Sequence, residues 1–171
     1  VLPVNAIIAI AEGVRRLNPG AGCAIEIGGH TSKFIVFGPD GAVLDFATND
    51  ACAAGTGSFL EQQARRLNLD VAELSRLSGA AVRDATIAGR CSVFAKSDMI
   101  HLQQKGTPVE EMAYGLCMAI CRNASLTLLK GRELETPVVI AGGCARNRGI
   151  VRAFRELFGI SDDRLFLVSS Q

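Results

Sequence analysis

Apolar and polar positions along the chain switch between a helical and a strand period, and the switches mark out the elements. Ile7, Ile8, Ile10, Ala11 and Val14 follow a helical period behind Asn5, a capping residue. Asn18-Pro19-Gly20 breaks the run, so a helix is expected to about Leu17. Cys23 to Ile27 reads as a buried strand ending at Gly28-Gly29, and Lys33 to Phe37 as a second. Pro39-Asp40-Gly41 then turns the chain into a third strand, Ala42 to Ala47. Links this short force the three to run antiparallel.

From Gly57 the helical period returns to about Leu67, with Phe59, Leu60, Ala64 and Leu67 on one face. Asp70 and Glu73 have the spacing of a capping box for a helix to Leu77. Ser78 to Gly89, rich in small residues, is expected as a loop with an extended piece near Ala85 to Ile87. A helix should run from Ser92 to about Gln104. Thr107 as cap, Pro108 at the first position and Glu110 closing the box start the next, which should reach Lys130 and bury Met112, Leu116, Ile120 and Leu128. Pro137 to Ala141 is continuously apolar, as parallel strands inside a sheet are. After Gly142-Gly143 a helix to about Phe158 should turn Ile150, Val151, Phe154 and Leu157 inward, and Leu165 to Val168 is the last strand.

With 171 residues, about half of them hydrophobic (49%), the chain can bury a real core. A net charge of +1 gives no electrostatic case for nucleic acid. The most apolar run, Ala6 to Ala11, is too short to span a bilayer and does not resemble a signal peptide. No membrane partner is therefore expected, and the cytoplasm is the default compartment. Six cysteines without a secretion signal argue for buried thiols or metal ligands rather than disulfides. Cys117 and Cys121, four apart on an apolar helical run, fit core packing better than a metal pair, and Cys23 and Cys144 read as small buried hydrophobes.

Asn49 to Glu61 carries Cys52 and two glycines into a helix, and Gly89 to Asp98 again places a cysteine, Cys91, at a helix start. A thiol beside the unpaired N–H groups and positive dipole end of a first turn should lose its proton readily and suit a metal or cluster. Arg90 would help at Cys91. Two helix-initiating loops with buried thiols remain the plainer reading. Glu26-Ile27-Gly28-Gly29 places a carboxylate and two glycines at a hairpin turn. Glycines let a phosphate approach backbone N–H groups, and a carboxylate can hold Mg²⁺ through water. Gly142 and Gly143 end a strand just before a helix, leaving space for a flat ring, with Asn147 bracing the loop. No Walker-type phosphate loop occurs. His30, His101 and the arginine pairs are expected to be turn or surface residues, with Arg146 and Arg148 the ones that could reach a phosphate.

Asn-Asp-x-Cys-Ala-Ala-Gly-Thr-Gly-x-Phe-Leu (49 to 60) followed by Cys-x-Val-Phe-Ala-x-Ser (91 to 97) resembles the ATP-dependent activators of 2-hydroxyacyl-CoA dehydratases and benzoyl-CoA reductases, the BadF/BadG/BcrA/BcrD type, from about Asn5 to the end. The resemblance implies an α/β fold: a ribonuclease-H-like lobe of the actin, heat-shock chaperone and sugar-kinase ATPase superfamily, with a mixed sheet and helices. It also implies that Cys52 and Cys91 hold one [4Fe–4S] cluster shared by two identical subunits. ATP and Mg²⁺ would bind near Glu26 as catalytic carboxylate, with Gly28, Gly29, Ser32, Lys33, Gly142, Gly143 and Asn147 around the nucleotide. The implied partner is an iron–sulfur dehydratase or reductase. This sequence departs from the family's phosphate motif at Glu26 (for Asp), His30 (for Gln) and Thr31 (for Asp), which puts hydrolysis in doubt more than binding. Starting at Val1 and stopping after a strand pattern, the chain is expected to be the second lobe only, without the first lobe or a closing helix. A sugar-kinase-like phosphotransferase and a non-catalytic dimerisation or docking module stay open as alternatives.

Overall fold

The computed structural model describes residues 5–49, 55–88 and 91–168. The first helix, α1 (Ala6–Leu17), is capped by the Asn5 side chain, which accepts from the Ile7 N–H at 2.8 Å. Strands β1 (Cys23–Ile27), β2 (Ser32–Phe37) and β3 (Val43–Asn49) form the expected antiparallel meander, with a register shift at Val36/Phe37, and β3 runs past Ala47 because its pairing with β2 continues to Asn49 opposite Ser32. Helices α2 (Gly57–Arg66), α3 (Val71–Ala80), α4 (Ser92–Gln104) and α5 (Val109–Ala124) follow, then β4 (Val138–Ala141), α6 (Arg148–Phe158) and β5 (Leu165–Val168). The five strands lie in the order β3-β2-β1-β4-β5, with β1, β4 and β5 parallel. This mixed sheet is the one expected of a ribonuclease-H-like lobe.

Alternation along β1 explains the layers. Cys23, Ile25 and Ile27 face one side with Phe34, Val138, Ile140 and Leu165, against the main helical core, while Ala24 faces the other with Ile35, Phe37 and Val139, against Ile7, Ala11 and Val14 of α1. The centre of the larger layer is α5, which continues as a π-helical turn through Ser125–Leu129 to Lys130 in the left-handed region. Sequence periodicity assigned it one apolar face, but it is buried almost all round. By length and hydropathy Val109–Leu129 could cross a membrane, yet most of it is buried inside the chain, as in a core helix.

Three local expectations need correction. The cap of α5 is Pro108 rather than Thr107, and no side-chain capping bond forms. Helix α3 runs on to Ala80 because Ser78 and Gly79 pack closely against Gly149 and Arg148 of α6 rather than breaking the helix. A short 3₁₀ turn, Gly143–Arg146, comes between Gly142 and α6, which starts behind Asn147.

Candidate functional site

Strands β1 and β4 are parallel neighbours, with Glu26 opposite Ala141, so the glycine pairs that follow them meet at the same end of the sheet. Crevices at the carboxyl ends of parallel strands are the usual ligand positions in such sheets. Here the crevice is a cleft of about 560 Å³ lined by Gly28 and Gly29 from the hairpin, Gly57 and Leu60 from α2, Val71, Ala72 and Ser75 from α3, and Gly143, Cys144, Arg146 and Asn147 from the turn after β4. Glycine is required at two of these junctions. Gly142 has φ +86°, and a Cβ there would lie 2.5 Å from the Ile27 carbonyl oxygen and 3.0 Å from Glu26 Oε1; one on Gly28 would lie 2.7 Å from Glu26 Oε1.

The start of α2 is tied to the hairpin. Gly57 and Ser58 N–H groups donate to the Gly28 and Gly29 carbonyls, both at 2.8 Å. The sequence reading expected these donors to be free; the hairpin takes them instead.

Glu26 and Lys33 face each other across β1 and β2, and Lys33 Nζ lies 2.9 Å from Glu26 Oε2 and 2.8 Å from Thr31 Oγ1. Both side chains are only 14% exposed, so the pair is poorly screened and well held. With one carboxylate oxygen on Lys33 and the other wedged between Gly28 and Gly142, Glu26 as placed does not fit a divalent ion. Thr31, a hydroxyl where the family has an acid, adds no second carboxylate. Ser32 is fully buried and its Oγ has no hydrogen-bond partner among the described residues, while His30 is exposed at the turn. Of the nucleotide residues expected from sequence, Gly28, Gly29, Gly143 and Asn147 line the cleft, Glu26 and Gly142 stand directly behind it, and Ser32 and Lys33 sit in β2 outside the lining.

The wall supplied by α3 was missed. Nothing in its amphipathic pattern marks a site, although Asp70 capping, with Oδ1 accepting the Glu73 N–H at 2.7 Å, was legible and fixes where Val71 and Ala72 stand. Ser75 Oγ accepts from the Arg148 N–H at 3.0 Å and joins α3 to α6.

Cys91 is the N-cap residue of α4, partly exposed and free of disulfide; Cys52 and Arg90 lie outside the described residues. Just beyond Cys91, Val93 and Phe94 are exposed. Burial pushes the thiols of Cys23 and Cys117 up to about 12 and that of Cys144 to about 11, and raises Cys121 well above its usual range. Those four keep their protons and do not suit a cluster. Cys91, by position and exposure, fits thiolate ligation. Among the described residues no three metal-binding side chains converge.

The model of the BadF/BadG/BcrA/BcrD ATPase family matches residues 4–160. The chain belongs to that family. Among BadF/BadG/BcrA/BcrD relatives, the activator of lactoyl-CoA dehydratase from Anaerotignum propionicum is 37% identical over 150 residues, covering 88% of this chain and 58% of the relative. The 2-hydroxyisocaproyl-CoA dehydratase activator from Clostridioides difficile is 36% identical over 143 residues, covering 84% and 53%. The solved structure of the activator of the 2-hydroxyisocaproyl-CoA dehydratase from Clostridium difficile with bound ADPNP superimposes with a TM-score of 0.83 at 33% identity, over 92% of this chain and 57% of that one. This chain thus spans little more than half the length of these BadF/BadG/BcrA/BcrD relatives.

Proposed function

We propose that this chain is the second lobe of an ATP-dependent activator that delivers a low-potential electron to an iron–sulfur dehydratase or reductase acting on a CoA thioester. The observation that carries the reading is the convergence of Gly28-Gly29 and Gly142-Gly143 on one cleft, in a fold shared with an activator solved with ADPNP. ATP would lie with its phosphates toward Gly28 and Gly29, Glu26 behind them, and its base toward Gly143, with Asn147 bracing that turn. Cys91, with Cys52, would contribute two thiolates, and the matching pair from a second copy would complete the four a [4Fe–4S] cluster needs. The exposed Val93 and Phe94 beside Cys91 support such a two-chain arrangement. A bound cluster would supply one-electron transfer, while the chain's own part is to hold it at the α4 N-terminus, whose partial positive charge favours the reduced form.

Anaerobic reconstitution with iron and sulfide tests this directly. The wild type should gain the broad visible band of thiolate-bound iron and about one cluster per two chains, and Cys91→Ser or Cys52→Ser should not. A colourless wild type, or a Cys91→Ser protein that keeps its iron, refutes the cluster. A non-catalytic dimerisation or docking module remains a second reading, favoured by the Lys33 contact that occupies Glu26. It predicts a dimer with no ATP hydrolysis and no change on Glu26→Gln, whereas a working site loses most of its hydrolysis on that substitution.

A further inference from the structure

We propose that Asp98 is the positioning residue for Cys91: its carboxylate ties the chain entering α4 to the middle of that helix and so fixes where the thiol stands. The proposal rests on the cluster reading above and adds to it the contact that would hold one ligand in place.

The tie is directional. Asp98 Oδ2 accepts from the Ala88 N–H at 2.7 Å, a short contact strengthened by the carboxylate's charge. Side chains on a helix lean toward its N-terminus, so a carboxylate two turns into α4 is aimed back at the chain that leads in. Aspartate is among the weaker formers of a helix interior, and this bond gives a reason for its place there. Ala88 precedes Cys91 by three residues, and the Cys91 carbonyl accepts from the Ala95 N–H at 3.0 Å as α4 begins. Cys91 thus stands between two tethers to the same helix.

The leading chain is itself fastened. The Ala85 N–H donates to the Glu111 carbonyl at 3.0 Å, Arg83 Nε lies 3.0 Å from Glu111 Oε2, Arg122 Nη2 lies 3.1 Å from Asp84 Oδ2, and Ile87 is buried. Ala88 therefore follows a segment bound to α5. Helix α4 is held less firmly: among its described side chains only Ala95 and Met99 are buried. Apolar contacts are non-directional and let a helix slide and roll; a hydrogen bond of fixed length to anchored backbone does not.

Reconstitution of the 171-residue chain with iron and sulfide, followed by release of that iron to a chelator, tests the assignment beside hydrogen exchange at the Ala88 amide in the iron-free protein. Asp98→Ala should speed exchange at Ala88 and release iron roughly tenfold faster than the wild type, as when a group that orients a metal ligand is lost. Asp98→Asn keeps an acceptor oxygen at the same reach and should restore both. Asp70→Ala, which weakens the start of α3, controls for lost stability and should release iron like the wild type. The proposal is overturned if Asp98→Ala keeps its iron as the wild type does, if Asp98→Asn fails to rescue it, or if Asp70→Ala loses iron as fast. Unprotected exchange at Ala88 in the wild type overturns it without any variant. All of these leave the cluster reading standing, whereas a wild type that takes up no iron removes both.

Discussion

Gly115 lies mid-helix in α5, where glycine costs about 1 kcal/mol of helix propensity relative to alanine, so its presence calls for a reason. A Cβ there would run into the carbonyl oxygen of Ala85, whose own N–H is held by the Glu111 carbonyl at 3.0 Å. Overpacking against backbone that is itself pinned costs about 1–3 kcal/mol, enough to outweigh the propensity gain. Gly115→Ala should therefore lower the urea midpoint, and a midpoint that rises would mean that the segment around Ala85 gives way. Sequence shows a glycine inside a helical pattern; it cannot show which carbonyl fills the missing side chain's place. The same holds for Cys117 and Cys121, whose spacing is compatible with a metal pair until their burial against α6 is seen.

The cleft depends on where α3 begins. Asp70 is exposed and makes one capping bond, to the Glu73 N–H, and removing such a cap costs about 1 kcal/mol. Asp70→Ala should reduce stability by about that much, read by thermal or urea unfolding, and Asp70→Asn should restore it; equal loss in both would point to charge rather than capping. The starts and stops of α1 and α4, and the existence of each strand though not the end of β3, were legible because caps, glycines and apolar alternation lie in the local sequence. Where α3 ends was not, since Ser78 and Gly79 look like loop residues and owe their helical place to the close approach of Gly149. The cap of α5 was likewise misplaced by one residue: Pro108 takes the N-cap position and no side-chain capping bond forms there. The cleft's third wall escaped notice for a related reason: Val71 and Ala72 are ordinary apolar helix positions until the fold sets them opposite Gly143.

At the scale of the molecule, the antiparallel meander of β1 to β3 was legible from its short links and the parallel character of β4 from its apolar run, whereas the order β3-β2-β1-β4-β5 and the parallel place of β5 emerge only from the structure. The meeting of two glycine pairs follows from that order. Burial also makes the molecule sensitive to alkali. Cys23, Cys117 and Cys144 are held at about 12, 12 and 11 in the fold against an ordinary value near 9. Between pH 9 and 11 the unfolded chain releases these protons while the folded one retains them, so stability present below pH 9 drains away as pH rises. Each thiol contributes on the order of 1 kcal/mol per pH unit, and urea midpoints at pH 8, 9 and 10 should fall steeply over the last step, less so in Cys23→Ala. A flat profile would mean the thiols ionise in place.

The bonds from Gly57 and Ser58 to the hairpin have an electrostatic result of their own. Carbonyl oxygens of a tight turn ordinarily repel an approaching anion; here those of both glycines are drawn toward the helix and screened by its amides. Both carbonyls are thus engaged before any guest arrives, so their repulsion toward negative charge is reduced.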